Sequence, residues 1–354
     1  MSIMREEIRQ QPAGLERTLR LETPAVERLR RRLAARKPRL IVLVARGTSD
    51  NAAQFGRYLL EIATGIPVSL AAPSILTLYQ GTVSFEDALV VAISQSGEST
   101  DTNVVLERAR EAGALTVGIT NEPESTLAGL AEHVFLVRAG REKSVAATKT
   151  YTGQLLMIYL LAYALGAPID LEALRRIPEW AAAALSLEDE IRERAVRYRF
   201  MEHSVVVGRG LNYSNAFEFA LKLMETCYVV AERFSSADFL HGPIAIVGPS
   251  FPVFLFAPGG VTWPSTREMT GKLAELKAET MLITDASNKE AIRLGRRSVI
   301  TIPARLLRKG PLPQEVYTPI PYIIPGQLFA ASLAREKGLD PDKPRTLTKV
   351  TRTL

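Results

Sequence analysis

Leu40 to Gly47 reads L-I-V-L-V-A-R-G, and Ser204 to Gly210 reads S-V-V-V-G-R-G. Each stretch is an apolar run ending in Arg-Gly. Each opens a helical pattern with alanine six residues past the glycine, at Ala53 and Ala216. Short, continuous apolar runs of this kind suit strands buried on both faces. The echo continues downstream. Leu115 to Asn121 returns at Thr280 to Asp285, Ala131 to Val137 at Gly295 to Thr301, and Gly153-Gln154-Leu155 at Gly326-Gln327-Leu328. The offset stays near about 164 residues and lengthens at the last match. One offset held over several elements indicates a tandem duplication.

In the first copy, strands are expected at Leu40–Ala45, Val68–Ala71, Ala88–Ile93, Leu115–Ile119 and His133–Val137. Helices are expected between them at Asn51–Thr64, Thr100–Ala112 and Glu124–Ala131. Strands alternating with helices imply right-handed crossovers and a parallel sheet covered on both faces. The expected class is therefore α/β, with two similar domains at 37–170 and 200–337. An N-terminal helical segment (1–36), a linking helix (171–199) and a C-terminal strap (338–354) complete the chain.

A length of 354 residues fits about two domains. Apolar residues at 47% and charged residues at 23% exclude wholesale disorder and collagen-like repeats. The longest apolar candidate, Leu155 to Gly166, is too short to span a membrane and reads as a buried helix. Met1 to Pro12 is charged and lacks the apolar core of a secretory signal. A single cysteine, Cys227, excludes an intrachain disulfide and a cysteine-rich zinc site. His133, His203 and His241 are scattered, so no metal site is expected. A reducing cytoplasm is the expected location. The formal charge is +6, and Arg28, Arg30, Arg31, Arg32, Arg36, Lys37 and Arg39 crowd one stretch. Without interleaved aromatics or a helix-turn-helix unit, this reads as a solvated helix end, and neither nucleic acid nor membrane is an expected partner.

The run Ala88–Ile93 leads into Ser94-Gln95-Ser96-Gly97-Glu98-Ser99-Thr100 and then a helix. Open parallel sheets bind ligands beyond the carboxyl ends of their strands. A helix N-terminus there offers unpaired amides and a positive dipole end. Four hydroxyls and a glycine add short donors and close backbone approach. No lysine sits in the loop, so the donor set suits one phosphate monoester better than a nucleoside triphosphate with its metal. Read alone, the loop could also be a helix cap with extra serines. Gly47-Thr48-Ser49 forms a second hydroxyl loop at the same sheet edge and favours the phosphate reading. The second copy has Ala257-Pro258-Gly259-Gly260 at the equivalent point and no serine cluster, so only one domain is expected to keep the pocket.

Glu218, Lys222 and Glu225 stand at i, i+4 and i+7, on one helical face. A carboxylate held by lysine and partly buried can serve as a proton-transfer base. The competing reading is a surface ion pair on an amphipathic helix. His241-Gly242-Pro243 offers either an acid–base histidine or a capping one. His133 and His203 lie at strand starts and read as structural.

These motifs together resemble the sugar isomerase (SIS) domain family. The sequence is similar to the isomerase portion of glucosamine-6-phosphate synthase and to the synthase-like glucosamine-6-phosphate deaminases. The resemblance runs from Glu6-Glu7-Ile8 to Pro344-Arg345-Thr346-Leu347-Thr348-Lys349 and includes S-Q-S-G-E-S (94–99), V-A-A-T-K (145–149), the E-x-x-x-K-x-x-E helix and H-G-P. It implies two tandem SIS domains, each a flavodoxin-like three-layer sandwich. It also implies that Gly47, Thr48, Ser49, Ser94, Gln95, Ser96 and Ser99, with Glu142, Val145 and Ala146, bind the phosphosugar. Glu225 would move a proton between C1 and C2, supported by Glu218 and Lys222. His241 would open the sugar ring, coming from the neighbouring subunit of a homodimer, and Lys349 matches a tail lysine that forms a Schiff base with fructose-6-phosphate. Leu240 stands where the synthase has lysine, and Ala147 where it has serine.

The synthase carries an N-terminal glutaminase domain with a nucleophilic cysteine. Here Ser2 follows Met1 and the repeat opens at Leu40, so glutamine is not expected as the nitrogen source. The expected reaction is deamination of glucosamine-6-phosphate to fructose-6-phosphate and ammonia, with no cofactor and no metal. Three alternatives stay open: a fructosamine-6-phosphate deglycase, ammonia-dependent synthesis in the reverse direction, and a non-catalytic phosphosugar sensor.

Overall fold

A computed structural model describes residues 2–35 and 37–349 of the chain. In chain order its elements are α1 (Ile3–Arg9), α2 (Gln11–Ala35), β1 (Leu40–Ala45), α3 (Thr48–Thr64), β2 (Val68–Leu70), α4 (Ser74–Thr77), β3 (Ala88–Ile93), α5 (Thr100–Glu111), β4 (Leu115–Thr120), α6 (Thr126–Leu130), β5 (His133–Leu136) and α7 (Lys149–Ala164). There follow α8 (Leu171–Leu185), α9 (Glu188–Val196), β6 (His203–Gly208), α10 (Tyr213–Cys227), β7 (Val230–Ser235), α11 (Ser236–Leu240), β8 (Pro252–Phe256), α12 (Trp263–Glu275), β9 (Glu279–Asp285), α13 (Lys289–Gly295), β10 (Val299–Ile302) and α14 (Pro319–Glu336). Two compact units result. The first comprises Ala13–Glu142, Lys149–Arg175 and the chain from Leu347; the second comprises Met1–Pro12, Lys143–Thr148 and Arg176–Thr346.

The first unit holds a parallel sheet of order β2-β1-β3-β4-β5. Alternation along its strands sends side chains to opposite faces. Val42, Val44, Val90 and Ala92 pack with Val105, Leu106 and Ala109 of α5 and Leu127 of α6. On the other face α3 comes so close that a β-carbon on Gly56 would lie 2.9 Å from Leu43 and 3.5 Å from Ile158 of α7. Helix α7 is buried along almost its whole length, and it includes most of the apolar stretch Leu155–Gly166 expected to form a buried helix. Covered on both sides, the strands have no polar face, and that is why they are continuous apolar runs.

The second unit repeats the plan. Its parallel sheet has the order β10-β9-β8-β6-β7, the same topology in the numbering of the second copy. Val205, Val207, Val253 and Leu255 pack with Met269 and Leu273 of α12. On the opposite face Phe254 meets Phe219 of α10 and Phe329 of α14, with ring centroids 5.1 and 5.0 Å away. Such aromatic pairs add about 0.5–1.5 kcal/mol each beyond their buried area.

The expected linking helix over 171–199 is instead two helices, α8 and α9, separated at Ser186-Leu187. The tail after Gly338 contains turns and no regular element up to Lys349. Within the second unit the Asp342 carboxylate accepts the backbone N–H groups of Ile3 and Met4, each at 2.7 Å. The Arg345 guanidinium lies over the Tyr228 ring, 4.1 Å from its centroid. Among the described residues no helix is long and apolar enough to cross a membrane.

Candidate functional site

In the first unit β1 and β3 lie side by side, with Ala45 opposite Ile93. The chain leaves them in opposite lateral directions, toward β2 and toward β4, so a crevice opens between the loops that follow. The loop after β3 is fixed by its own hydrogen bonds. The Ser94 hydroxyl accepts from Gly97 N–H at 3.1 Å, and the Ser96 hydroxyl accepts from Glu98 N–H at 3.2 Å. Gly97 C=O accepts from Asn103 Nδ2 at 3.1 Å and from Leu127 N–H at 3.0 Å. Gly97 has φ +68°, and a β-carbon there would lie 2.1 Å from Ser125 Oγ. Only glycine fits both constraints. The backbone N–H groups of Gln95, Ser96 and Ser99 have no acceptor among the described residues. They stand beside the N-terminus of α5, whose dipole favours an anion.

The loop after β1 begins at Gly47 with φ +57°, and Thr48 and Ser49 form the first turn of α3. Ser49 is buried and its hydroxyl accepts from Gln154 Nε2 of α7 at 2.9 Å. Arg46, at the end of β1, reaches Asp101 in the first turn of α5 at 2.6 Å. That ion pair ties the two hydroxyl loops together. In the sequence Arg46 and Gln154 stand out only as parts of the repeat, and Asp101 not at all.

Glu142 also lies in the first unit, on the segment between β5 and α7. Its buried carboxylate accepts from Thr150 Oγ1 at 2.7 Å, from Thr150 N–H at 3.2 Å and from Lys349 Nζ at 3.1 Å. Glu142 thus pairs with the tail lysine. Lys149, next to Thr150, turns its ammonium to Arg141 C=O at 2.7 Å.

Val145 and Ala146 belong to the second unit, where Ser144 N–H donates to the Glu7 carboxylate at 3.2 Å. In this unit α10 presents the carboxylate–lysine face. Glu218 and Lys222 are fully buried, which removes the surface-pair reading. Lys222 Nζ lies 3.5 Å from Glu218 and forms a short hydrogen bond to Glu225. The Glu225 side chain keeps 21% exposure. One carboxylate of the three-residue group is therefore open to a ligand while the other two members are sealed. Such a group can pass a proton at its open end and keep the buried lysine neutralised.

His241 follows α11 and is exposed; its backbone N–H donates to Asp238 C=O at 3.1 Å. Gly242, at φ +144°, makes the turn that Pro243 continues. No hydrogen bond to the His241 ring is found among the described residues. His133 and His203 are the first residues of β5 and β6.

A family model for the SIS domain matches residues 35–164 and 201–305. The glutamine–fructose-6-phosphate aminotransferase (isomerizing) of Pyrococcus horikoshii is 36% identical over 315 residues, which cover 87% of this chain and 51% of that protein. The chain thus spans about half the length of the curated relatives it matches. The C-terminal domain of glucosamine-fructose-6-phosphate aminotransferase from Francisella tularensis superposes with a TM-score of 0.84 at 28% identity, covering 97% of this chain and 98% of that one. The glucosamine-6-phosphate deaminase of Thermotoga maritima shares the fold, with a TM-score of 0.79 at 21% identity over 99% of this chain and 100% of that one.

Proposed function

The chain belongs to the SIS domain family, and from that premise we propose that it is a phosphosugar isomerase acting as a glucosamine-6-phosphate deaminase. The observation that carries the reading is the loop Ser94–Thr100. Its hydroxyls and its N–H groups without acceptors, at the β1/β3 crevice and the N-terminus of α5, suit one phosphate monoester. Gly47, Thr48 and Ser49 add the second wall of that grip.

Proton transfer falls to Glu225, the exposed end of the buried group on α10. In the open-chain sugar it takes the C2 proton; the freed pair forms the C1–C2 double bond of an enolamine while the C1=O π pair moves to oxygen, which takes a proton from the C2 ammonium. Returning the proton to C1 leaves an imine at C2. Water adds to that imine, ammonia leaves, and fructose-6-phosphate remains. Glu218 and Lys222 keep the Glu225 carboxylate in place. Ring opening falls to His241, contributed by a second copy of the chain; its exposed ring supports this assignment. Lys349, held by Glu142, faces the open-chain sugar as an imine-forming or orienting amine.

The test is incubation of the purified chain with glucosamine-6-phosphate, with ammonia and fructose-6-phosphate measured together. Equal release of both supports deamination. Absence of both, with phosphosugar binding intact, would refute the deaminase reading.

A further inference from the structure

We propose that the second unit retains a phosphate-type cradle whose resident anion is the chain's own carboxylate, that of Glu315. Strand β8 and helix α12 occupy the places in their sheet that β3 and α5 occupy in the first unit. The loop between them carries Gly259 and Gly260 but no serine. Glu315 is 2% exposed and lies on this loop. Its carboxylate accepts from Val261 N–H at 3.3 Å, from Thr262 N–H at 3.2 Å and from Thr262 Oγ1 at 3.2 Å, immediately before α12. Gly260 has φ +103°, and a β-carbon there would lie 2.1 Å from Glu315 Oε2. The backbone is bared where the anion rests, as in a phosphate loop.

The duplication supplies an independent argument. Gly153 and Gln154 recur at Gly326 and Gln327, a spacing of 173, and the same spacing carries Glu142 to Glu315. Both glutamates sit between the last strand of their sheet and the helix that follows, α7 or α14. Glu142 turns to Thr150 and Lys349. Its duplicate turns to the amides at the N-terminus of α12. The second cradle is thus occupied from within, and a phosphate monoester or inorganic phosphate is the ligand class that the carboxylate excludes.

The experiment is titration of the full-length protein with inorganic phosphate by calorimetry, alongside thermal unfolding with and without phosphate. Glu315→Ala vacates the cradle. Glu315→Gln removes the charge, and a neutral amide competes less well with a phosphate dianion. Both variants should show one more phosphate-binding event per chain than wild type, stronger in the alanine variant. Phosphate should also raise their unfolding temperature more than that of wild type. A variant that folds only in phosphate buffer supports the proposal too. Folded variants with wild-type stoichiometry would overturn it. So would loss of folding in both variants regardless of phosphate, because Glu315 would then be a structural strut. The readout is the gain over wild type, so it stands whether or not the first unit binds phosphosugar.

Discussion

Replacing Lys222 by methionine tests the reasoning about α10 most directly. The ammonium is fully buried, 3.5 Å from the fully buried Glu218 and hydrogen-bonded to Glu225. Methionine fills most of the volume but leaves Glu218 as a charge without its cation. Breaking a buried ion pair from one side costs about 3–5 kcal/mol. The second unit contains 189 residues, from its segments of 12, 6 and 171. For a unit of that size each kcal/mol shifts the unfolding temperature by about 2–4 °C, so Lys222→Met should lower it by about 6–20 °C. Adding Glu218→Gln removes the stranded charge, and the double variant should recover more than half of the loss. Circular dichroism melts of wild type, both single variants and the double variant complete the cycle. A Lys222→Met protein that melts within 1 °C of wild type would refute the reasoning, roughly the resolution of such a melt.

Four further outcomes are expected. Gly97→Ala forces a side chain into the left-handed region at a cost of about 1–2 kcal/mol, and its β-carbon would lie 2.1 Å from Ser125 Oγ. Inorganic phosphate affinity should fall about tenfold or more, which a titration would show. Glu225→Gln should abolish ammonia release from glucosamine-6-phosphate while leaving binding intact, and unchanged turnover would remove Glu225 as the base. Burial pushes the Cys227 thiol up to about 12, so it should stay unreacted with a thiol reagent at pH 8 until the protein unfolds. Burial also holds the His133 ring below its ordinary 6.5. The unfolded chain therefore takes that proton first, so this contribution is whole above pH 6.5 and lost as pH falls through the lowered folded value. His133→Phe should flatten the decline of unfolding temperature on acidification below pH 6.5.

Strands β1 and β3 are legible to the residue because burial on both faces leaves continuous apolar runs that stop at Arg46 and Ser94. The start of α3 is less legible. Thr48 and Ser49 read as loop because of their hydroxyls, but they are already helical, and Gly47 makes the turn. The break between α8 and α9 is hidden. It falls at Ser186-Leu187, while Pro178, the obvious breaker, sits inside α8. The spacing of Glu218, Lys222 and Glu225 is visible, but their burial is not, because an exposed amphipathic helix has the same period. Arg46–Asp101 and Glu142–Lys349 join residues 55 and 207 positions apart, and no local pattern marks such pairs.

The two glutamates at the spacing of 173 show how a duplicated fold can diverge without losing its frame. The strand-end crevice and the helix N-terminus survive in both units, because they follow from the 2-1-3-4-5 sheet order itself, and both loops keep glycine. Each helix N-terminus still favours negative charge nearby. In the first unit the hydroxyl loop leaves that need for a ligand, and Glu142 is engaged by Thr150 and Lys349. In the second unit Glu315, a side chain of the same chain, meets it through hydrogen bonds, and no serine is then required in the loop. On the proposed reading, the lack of serine after β8 and the seating of Glu315 on the amides before α12 are two sides of one arrangement. Gly260→Ser with Glu315 retained would set a side chain against a carboxylate that already fills the space, so restoring a hydroxyl to the loop alone should not restore phosphate binding. Phosphate binding by such a variant at the strength of Glu315→Ala would separate the two events and refute this account.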